Sequence, residues 1–188
     1  MVIQGRSEQD TKPNIVEDEA FVERLRDRNP AAMEELVTRH HRGLYRFLYG
    51  LSRCAEDAED LTQQTLVRAI EAIHRYDGRA ALRTWLFGIA FREFCKLRRR
   101  RQWLPLLGDR PTGDDPFGRL VEAQALLDAL AKLSNDAKGV FLLHHVEGMT
   151  IPEIAETLNV PEGTVKSRLF TARERLRTLL GEETAYAT

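Results

Sequence analysis

A chain of 188 residues, 43% hydrophobic and 30% charged, is long enough for one medium domain or two small helical ones. No apolar run approaches the roughly 20 residues of a membrane span, and the opening MVIQGRSEQDTKPN lacks a signal peptide's apolar core, so a soluble cytoplasmic protein without its own membrane insertion is expected. The formal net charge of −1 is an average over a segregated chain: acids gather at Glu17–Glu19, Glu34–Glu35 and Glu56–Asp60, whereas Glu93 is the only acid between Arg79 and Trp103. That asymmetry points to a basic face for nucleic acid and an acidic face for something else, with weak DNA binding by the free protein.

Residues 1–15 have no periodic pattern and are expected to be flexible. Phe21 to Leu51 supplies one or two helices, broken at Asn29-Pro30, with Phe21, Leu25, Met33, Leu36, Val37, Leu44, Phe47 and Leu48 as core. Glu56 to Tyr76 reads as one long helix. Its core stripe is Leu61, Thr65, Ala69, Ala72, Ile73 and Tyr76, and its opposite face carries Asp60, Gln63, Gln64, Val67 and Glu71. Val67 is an apolar side chain stranded among polar ones, which suits a docking surface as well as a solvated face.

The short loop Asp77-Gly78-Arg79-Ala80-Ala81 has a glycine and lies beside the basic segment, where it is able to accept an unstacked base. The next helix begins near Arg83, with Trp85, Leu86, Ile89, Ala90, Phe94 and Leu97 covering most of its circumference, and ends in the basic run Arg98–Arg101. Four successive helical residues point four ways, so they form a diffuse cationic collar for backbone phosphates rather than one bidentate contact. Pro105, Pro111 and Pro116 with Gly108, Gly113 and Gly118 then mark a linker. The class is all-α, in two small domains, 16–102 and 121–181, joined by a flexible linker at 103–120 and followed by a flexible tail at 182–188.

Thr150 to Arg177 is the most informative stretch. Apolar residues at Ile151, Ile154, Ala155 and Leu158, then at Val165, Leu169, Ala172 and Leu176, define two helices with one buried stripe each. Thr150 and Glu153 have capping-box spacing, and Pro161 stands where a helix begins. With Leu169 inward, about 100° per residue turns Lys166, Ser167, Phe170 and Thr171 outward. A cation, hydroxyls and an aromatic ring suit base edges and thymine methyls in a major groove, and Arg168, Arg173, Arg175 and Arg177 rim them for phosphates. The pattern is a helix-turn-helix whose second helix reads DNA. Two packed amphipathic helices with a solvated face are the plainer alternative.

Taken together, DAEDLTQQTLVRAIEAIHRYDG, RTWLFGIAFREFCKLRRRR and LSNDAKGVFLLHHVEGMTIPEIAETLNVPEGTVKSRLFTARERLRTLL resemble the bacterial sigma factors of the extracytoplasmic-function (ECF) group, with regions two and four only. The resemblance covers roughly Ala31–Gln102 and Glu122–Leu180. It implies that Asp57, Asp60, Gln63, Gln64, Val67 and Glu71 bind core RNA polymerase. It also implies that Asp77, Gly78, Arg79, Arg83, Arg92, Lys96 and Arg98, Arg99, Arg100 and Arg101 engage the promoter's minus-ten element, the loop holding a flipped base. Thr164, Lys166, Ser167, Arg168, Phe170, Thr171 and Arg173 then meet the minus-thirty-five element, Arg168 and Arg173 at the core edge or on phosphates. An anti-sigma partner is implied as well. Arg92 stands where many relatives carry asparagine, and Thr171 replaces a frequent arginine; both bear on which promoter is read.

The competing reading is a free-standing helix-turn-helix regulator that binds duplex operators as a dimer. Catalysis is not expected, for want of a phosphate-cradling glycine loop or a nucleophile–base pair. Nor is a cofactor or metal, since Cys54 and Cys95 are far apart and the pairs His40-His41 and His144-His145 are adjacent rather than four apart.

Overall fold

The computed structural model describes residues 15–103 and 121–185, whose backbone forms eight α-helices and no strand. The first four are α1 (Ile15–Arg26), α2 (Pro30–Ser52), α3 (Ala55–Ala72) and α4 (Leu82–Trp103). A second set comprises α5 (Val121–Ala131), α6 (Asn135–His145), α7 (Ile151–Leu158) and α8 (Glu162–Ala185).

Local chemistry sets the boundaries. Asn29 has extended backbone and its Oδ1 accepts the Ala32 N–H at 3.1 Å, with Pro30 in the first turn where no N–H is needed. α2 stops at Arg53, a non-glycine residue at φ 57° whose N–H closes on the Tyr49 carbonyl at 2.8 Å. A left-handed residue with a Cβ costs about 1 kcal/mol or more, so this tight corner between α2 and α3 is held by its surroundings.

Three expectations need correction. The helix read as running unbroken to Tyr76 leaves α geometry at Ala72 and finishes as a 3₁₀ turn, Ile73–Arg75. The arginine run does not end α4, because arginine is a good helix former and carries it to Trp103. Ile15 already belongs to α1, and α8 passes through Gly181 to Ala185, so helix reaches into both of the segments, 1–15 and 182–188, expected to be flexible. A single glycine costs a helix only about 1 kcal/mol. Of the linker expected at 103–120, Trp103 is the last residue of α4 and 104–120 lie outside the described residues, as do 1–14 and 186–188.

α2, α3 and α4 pack around Leu36, Leu44, Leu48, Leu86, Ala90 and Phe94, with the Phe47 and Phe87 rings edge to face at 5.3 Å. Val37, expected in this core, lies on the solvent side. The stripe already has Leu36 and Leu44, and the helical step carries Val37 off it. The second core joins α5, α6, α7 and α8 through Leu130, Val140, Leu142, Ile154, Val165, Leu169 and Ala172. These two bundles are packed on one another: α4 lies against α7, and α2 against α5 and α6.

Candidate polymerase and DNA interfaces

The outer face of α3 presents Asp60, Gln63, Gln64, Val67 and Glu71 to solvent, with Val67 55% exposed. Gln63 donates to Glu59 Oε1 at 3.0 Å. That bond, followed by His41, holds the Glu59 carboxyl below its ordinary value despite partial burial. Glu59 is thus a charged member of this face that the sequence reading passed over. Asp57 is not on it: the side chain is buried and takes a bidentate ion pair from Arg101, at 2.6 and 2.7 Å. One pairing therefore withdraws Asp57 from the polymerase set and Arg101 from the cationic collar. The partners are 44 positions apart, so no local pattern announces them.

The loop after the 3₁₀ turn is braced rather than loose. Gly78 has φ +71°, a conformation that suits glycine, and the Arg79 N–H bonds Asp77 Oδ1 at 3.2 Å. The Tyr76 hydroxyl donates to the Ala80 carbonyl, Arg26 Nη2 donates to the Tyr76 carbonyl at 2.7 Å, and the Tyr76 ring leans on Trp85 at 5.3 Å. A cleft of about 460 Å³ opens beside this loop, lined by α1 through Val22 and Arg26, by residues 76–81, and by Glu153 and Glu156 of α7.

Of the α4 cations, Arg92, Lys96, Arg99 and Arg100 are exposed. Lys96 pairs at 2.7 Å with buried Glu93, which also takes Arg68 at 3.1 Å. Arg83 is committed elsewhere. Its Nη2 reaches Glu147 Oε2 at 2.7 Å and the Glu147 carbonyl at 2.8 Å.

α7 and α8 form the expected helix pair. Thr150 Oγ1 accepts the Glu153 N–H at 3.4 Å, while Glu153 Oε2 accepts the Thr150 N–H at 2.8 Å, closing the capping box. The turn runs through Asn159 at φ 53°, with the Val160 N–H returning to the Ala155 carbonyl at 3.0 Å. Val165, Leu169, Ala172 and Leu176 are buried, and Lys166, Ser167, Phe170 and Thr171 are exposed. Phe170 is 67% exposed. Lys166 has a loose ion pair with Glu162 at 3.5 Å, and the Thr171 hydroxyl donates to the Ser167 carbonyl at 3.0 Å.

The rim is less available than the centre. Arg168 pairs with Asp136 of α6 at 2.5 Å, while Arg173 Nε donates to His145 Nε2 at 3.2 Å. His145 can accept because burial, then His144 and Arg173, hold its ring below the ordinary value and so neutral. Thr164 at the start of α8 is partly covered.

Burial raises the Cys95 thiol, with Asp136 adding to the effect and Arg99 opposing it, so it stays protonated and inert. Among the described residues no group of three or more His, Cys, Asp or Glu side chains is arranged to hold a metal ion, and no helix is long and apolar enough to cross a membrane.

The Sigma-70 region 2 family matches residues 36–104, and Sigma-70, region 4, matches 123–176. The ECF RNA polymerase sigma factor SigM of Mycobacterium tuberculosis is 34% identical over 152 residues, 80% of this chain and 78% of that protein. SigE of Mycolicibacterium smegmatis is 33% identical over 165 residues, 81% of this chain but only 63% of its own length. Among solved structures, CnrH in complex with the cytosolic domain of CnrY matches with a TM-score of 0.70 at 27% identity, covering 88% of this chain and 97% of that one. RpoE in complex with the anti-sigma factor NepR, from Bartonella quintana, gives 0.69 at 28% identity, covering 79% and 96%. The chain belongs to the ECF sigma factors of the sigma-70 family.

Proposed function

We propose that this chain joins core RNA polymerase through the outer face of α3 and directs it to a small set of promoters. In this reading 16–102 is the polymerase- and minus-ten-binding domain and 121–181 the minus-thirty-five-binding domain. The observation that carries it is the placement of exposed apolar side chains. Of the three large hydrophobic residues exposed among the described residues, Val67 is the centre of an acid- and amide-lined face on α3, and Phe170 is the centre of a polar face on α8. Neither has a packing role in its own bundle. Each suits a face completed by another molecule.

The mechanism follows from the chemistry of each face. Lys166, Ser167, Phe170 and Thr171 enter the major groove of the minus-thirty-five element, where a cation and a ring distinguish guanine edges and thymine methyls. Residues 77–82 receive an unstacked base of the minus-ten element, and the exposed arginines of α4 hold the adjoining phosphates. Unstacking a base costs a few kcal/mol, and with no nucleotide-hydrolysing motif the chain offsets that cost by binding the single strand. The activity is therefore one of selection and melting without bond-making. By likeness to RpoE with NepR and CnrH with CnrY, an anti-sigma partner belongs to the proposal, as does a cytoplasmic site of action.

Run-off transcription with purified core polymerase on genomic fragments tests the proposal. Promoter-dependent transcripts that require this chain support it. Tight duplex binding as a dimer, with no effect on core polymerase, would instead favour the operator-binding alternative, which leaves the α3 face without a task.

A further inference from the structure

The Sigma-70 region 2 match begins at residue 36 and leaves α1 outside it. The fold nevertheless gives α1 a fixed seat. Phe21, Val22 and Leu25 are buried. The Arg24 guanidinium lies 5.5 Å from the centroid of the Phe21 ring, and that of Arg39 of α2 lies at 4.8 Å. Arg24 also pairs with Glu35 of α2 at 3.0 Å. The helix ends in a left-handed turn at Arg28, φ 55°, where the Asn29 N–H returns to the Arg24 carbonyl and the Arg28 N–H to that of Leu25, each at 3.0 Å. Those two bonds fix the backbone that carries Arg26.

From this seat Arg26 reaches the start of the base-receiving loop. Its Nη2 donates to the Tyr76 carbonyl at 2.7 Å, and its Nη1 pairs with Glu23 one turn back. Tyr76 is the last residue before the loop and is 6% exposed. Its N–H closes the 3₁₀ turn on the Ile73 carbonyl at 3.1 Å, and its hydroxyl crosses the loop to the Ala80 carbonyl. One residue thus ties both ends of the loop, and Arg26 holds that residue by its main chain. An ionised donor makes a stronger hydrogen bond than a neutral one, and the planar guanidinium gives it direction. Val22 and Arg26 also line the cleft of about 460 Å³ beside the loop. These hydrogen bonds all lie within the first bundle, so they do not depend on where α5 to α8 sit.

A loop that receives one unstacked base is served by rigidity. A flexible site re-packs around several ligands, whereas a fixed one rejects those that do not fit, and a loop ordered in advance has less freedom to lose on binding. We propose that α1 belongs to the promoter-reading machinery: Arg26, acting through the Tyr76 carbonyl, is a positioning residue that fixes residues 77–81 in the conformation that selects one base of the minus-ten element. The inference rests on the functional reading above, which gives the loop its base. It adds a helix outside region 2, and a side chain that acts on the base only through the loop, to what decides promoter choice.

The test uses holoenzyme reconstituted from core polymerase and the full chain, on a promoter recovered by run-off and carrying in turn each base at every minus-ten position. Arg26→Ala is expected to co-elute with core as the parent does and to keep protection of the minus-thirty-five element. Run-off from the preferred base should fall about tenfold while the poorer bases change little, so that preference at one position flattens. Arg26→Lys, which keeps a cationic donor, is expected to recover part of that preference. Tyr76→Phe, which removes the hydroxyl bond to Ala80, should flatten the same position. The two substitutions together should cost less than the product of their separate losses, because they act on one loop. An equal loss at all bases accompanied by a lower urea midpoint is what a merely structural residue gives, and it overturns the inference. Promoter-dependent product whose base preference is unchanged in Arg26→Ala refutes the inference alone, whereas no such product from the parent holoenzyme refutes the functional reading and the inference with it.

Discussion

Arg83 and Lys166 are both cations on helices that sequence assigns to DNA, and the fold treats them oppositely. Arg83 donates to the Glu147 carboxylate, whose side chain is 2% exposed, and to the Glu147 backbone carbonyl, while Lys166 has one 3.5 Å ion pair with an exposed neighbour on its own helix. The same contrast holds for whole faces. On α8 the centre of the proposed reading surface is open and its arginine rim is partly paired; on α4 the exposed arginines follow the segment at Thr84 and Gly88 that is packed under α7. A cation count is therefore a poor guide to where nucleic acid goes. What matters is which cations have a carboxylate closer than a phosphate would be.

The comparison can be broken from the tied-down side by acid. His40 of α2 is held at a pKa of about 4, well under 6.5, first by burial and then by Arg83 and Arg39. Because the unfolded chain takes up this proton near pH 6.5 and the folded chain only near 4, the stabilisation is complete above pH 6.5 and is lost as pH falls toward 4. At 1.36 kcal/mol per unit the loss is at most about 3 kcal/mol. Urea melts at pH 7 and pH 4.5 should show most of it. His40→Gln should remove that part of the slope, and an unchanged slope would mean that His40 is not the titrating group.

A smaller effect sharpens the open side. Lys166→Ala and Phe170→Ala should each cost promoter-specific binding by the reconstituted holoenzyme about 1–3 kcal/mol if the side chain makes a good base contact. Association with core should be unaffected. Footprints that do not weaken in either variant would move the reading surface off this face of α8. The smallest effect concerns the helix between the two faces. Thr150→Ala removes one arm of the capping box and should lower the stability of the full chain by about 1 kcal/mol, measured as a lower urea midpoint with an unchanged slope.

Local patterns were the legible ones. The capping box at Thr150 and Glu153, the stripe Val165–Leu169–Ala172–Leu176, and the α3 face around Val67 each depend on residues within a few turns of one helix, so periodicity exposes them. Pairings across the fold were not. Asp57 reads as one more surface acid in AEDAED until Arg101 is seen beside it, and Glu147 in HHVEGMT reads as a solvated turn acid. One signal of the packing of α4 on α7 is local. Gly88 interrupts the otherwise apolar TWLFGIAF, and a glycine inside a buried helix commonly marks a close approach by another backbone, here the Thr157 carbonyl. The early stop assigned at Gly181 and at the arginine run had the opposite fault, a local rule taken as decisive where its energy is about 1 kcal/mol or nil.

Separation of the two open faces is the claim on which the rest depends, and one assembly experiment addresses it directly. Full-length chain carrying Asp60→Arg with Gln64→Ala, and full-length chain carrying Lys166→Ala with Phe170→Ala, are each mixed with core polymerase and run over a sizing column, and the complexes are footprinted on a cognate promoter. The account predicts that the first variant fails to co-elute with core, while the second co-elutes normally and loses protection of the minus-thirty-five element. Normal co-elution of the first variant, or loss of co-elution by the second with promoter protection intact, would contradict it.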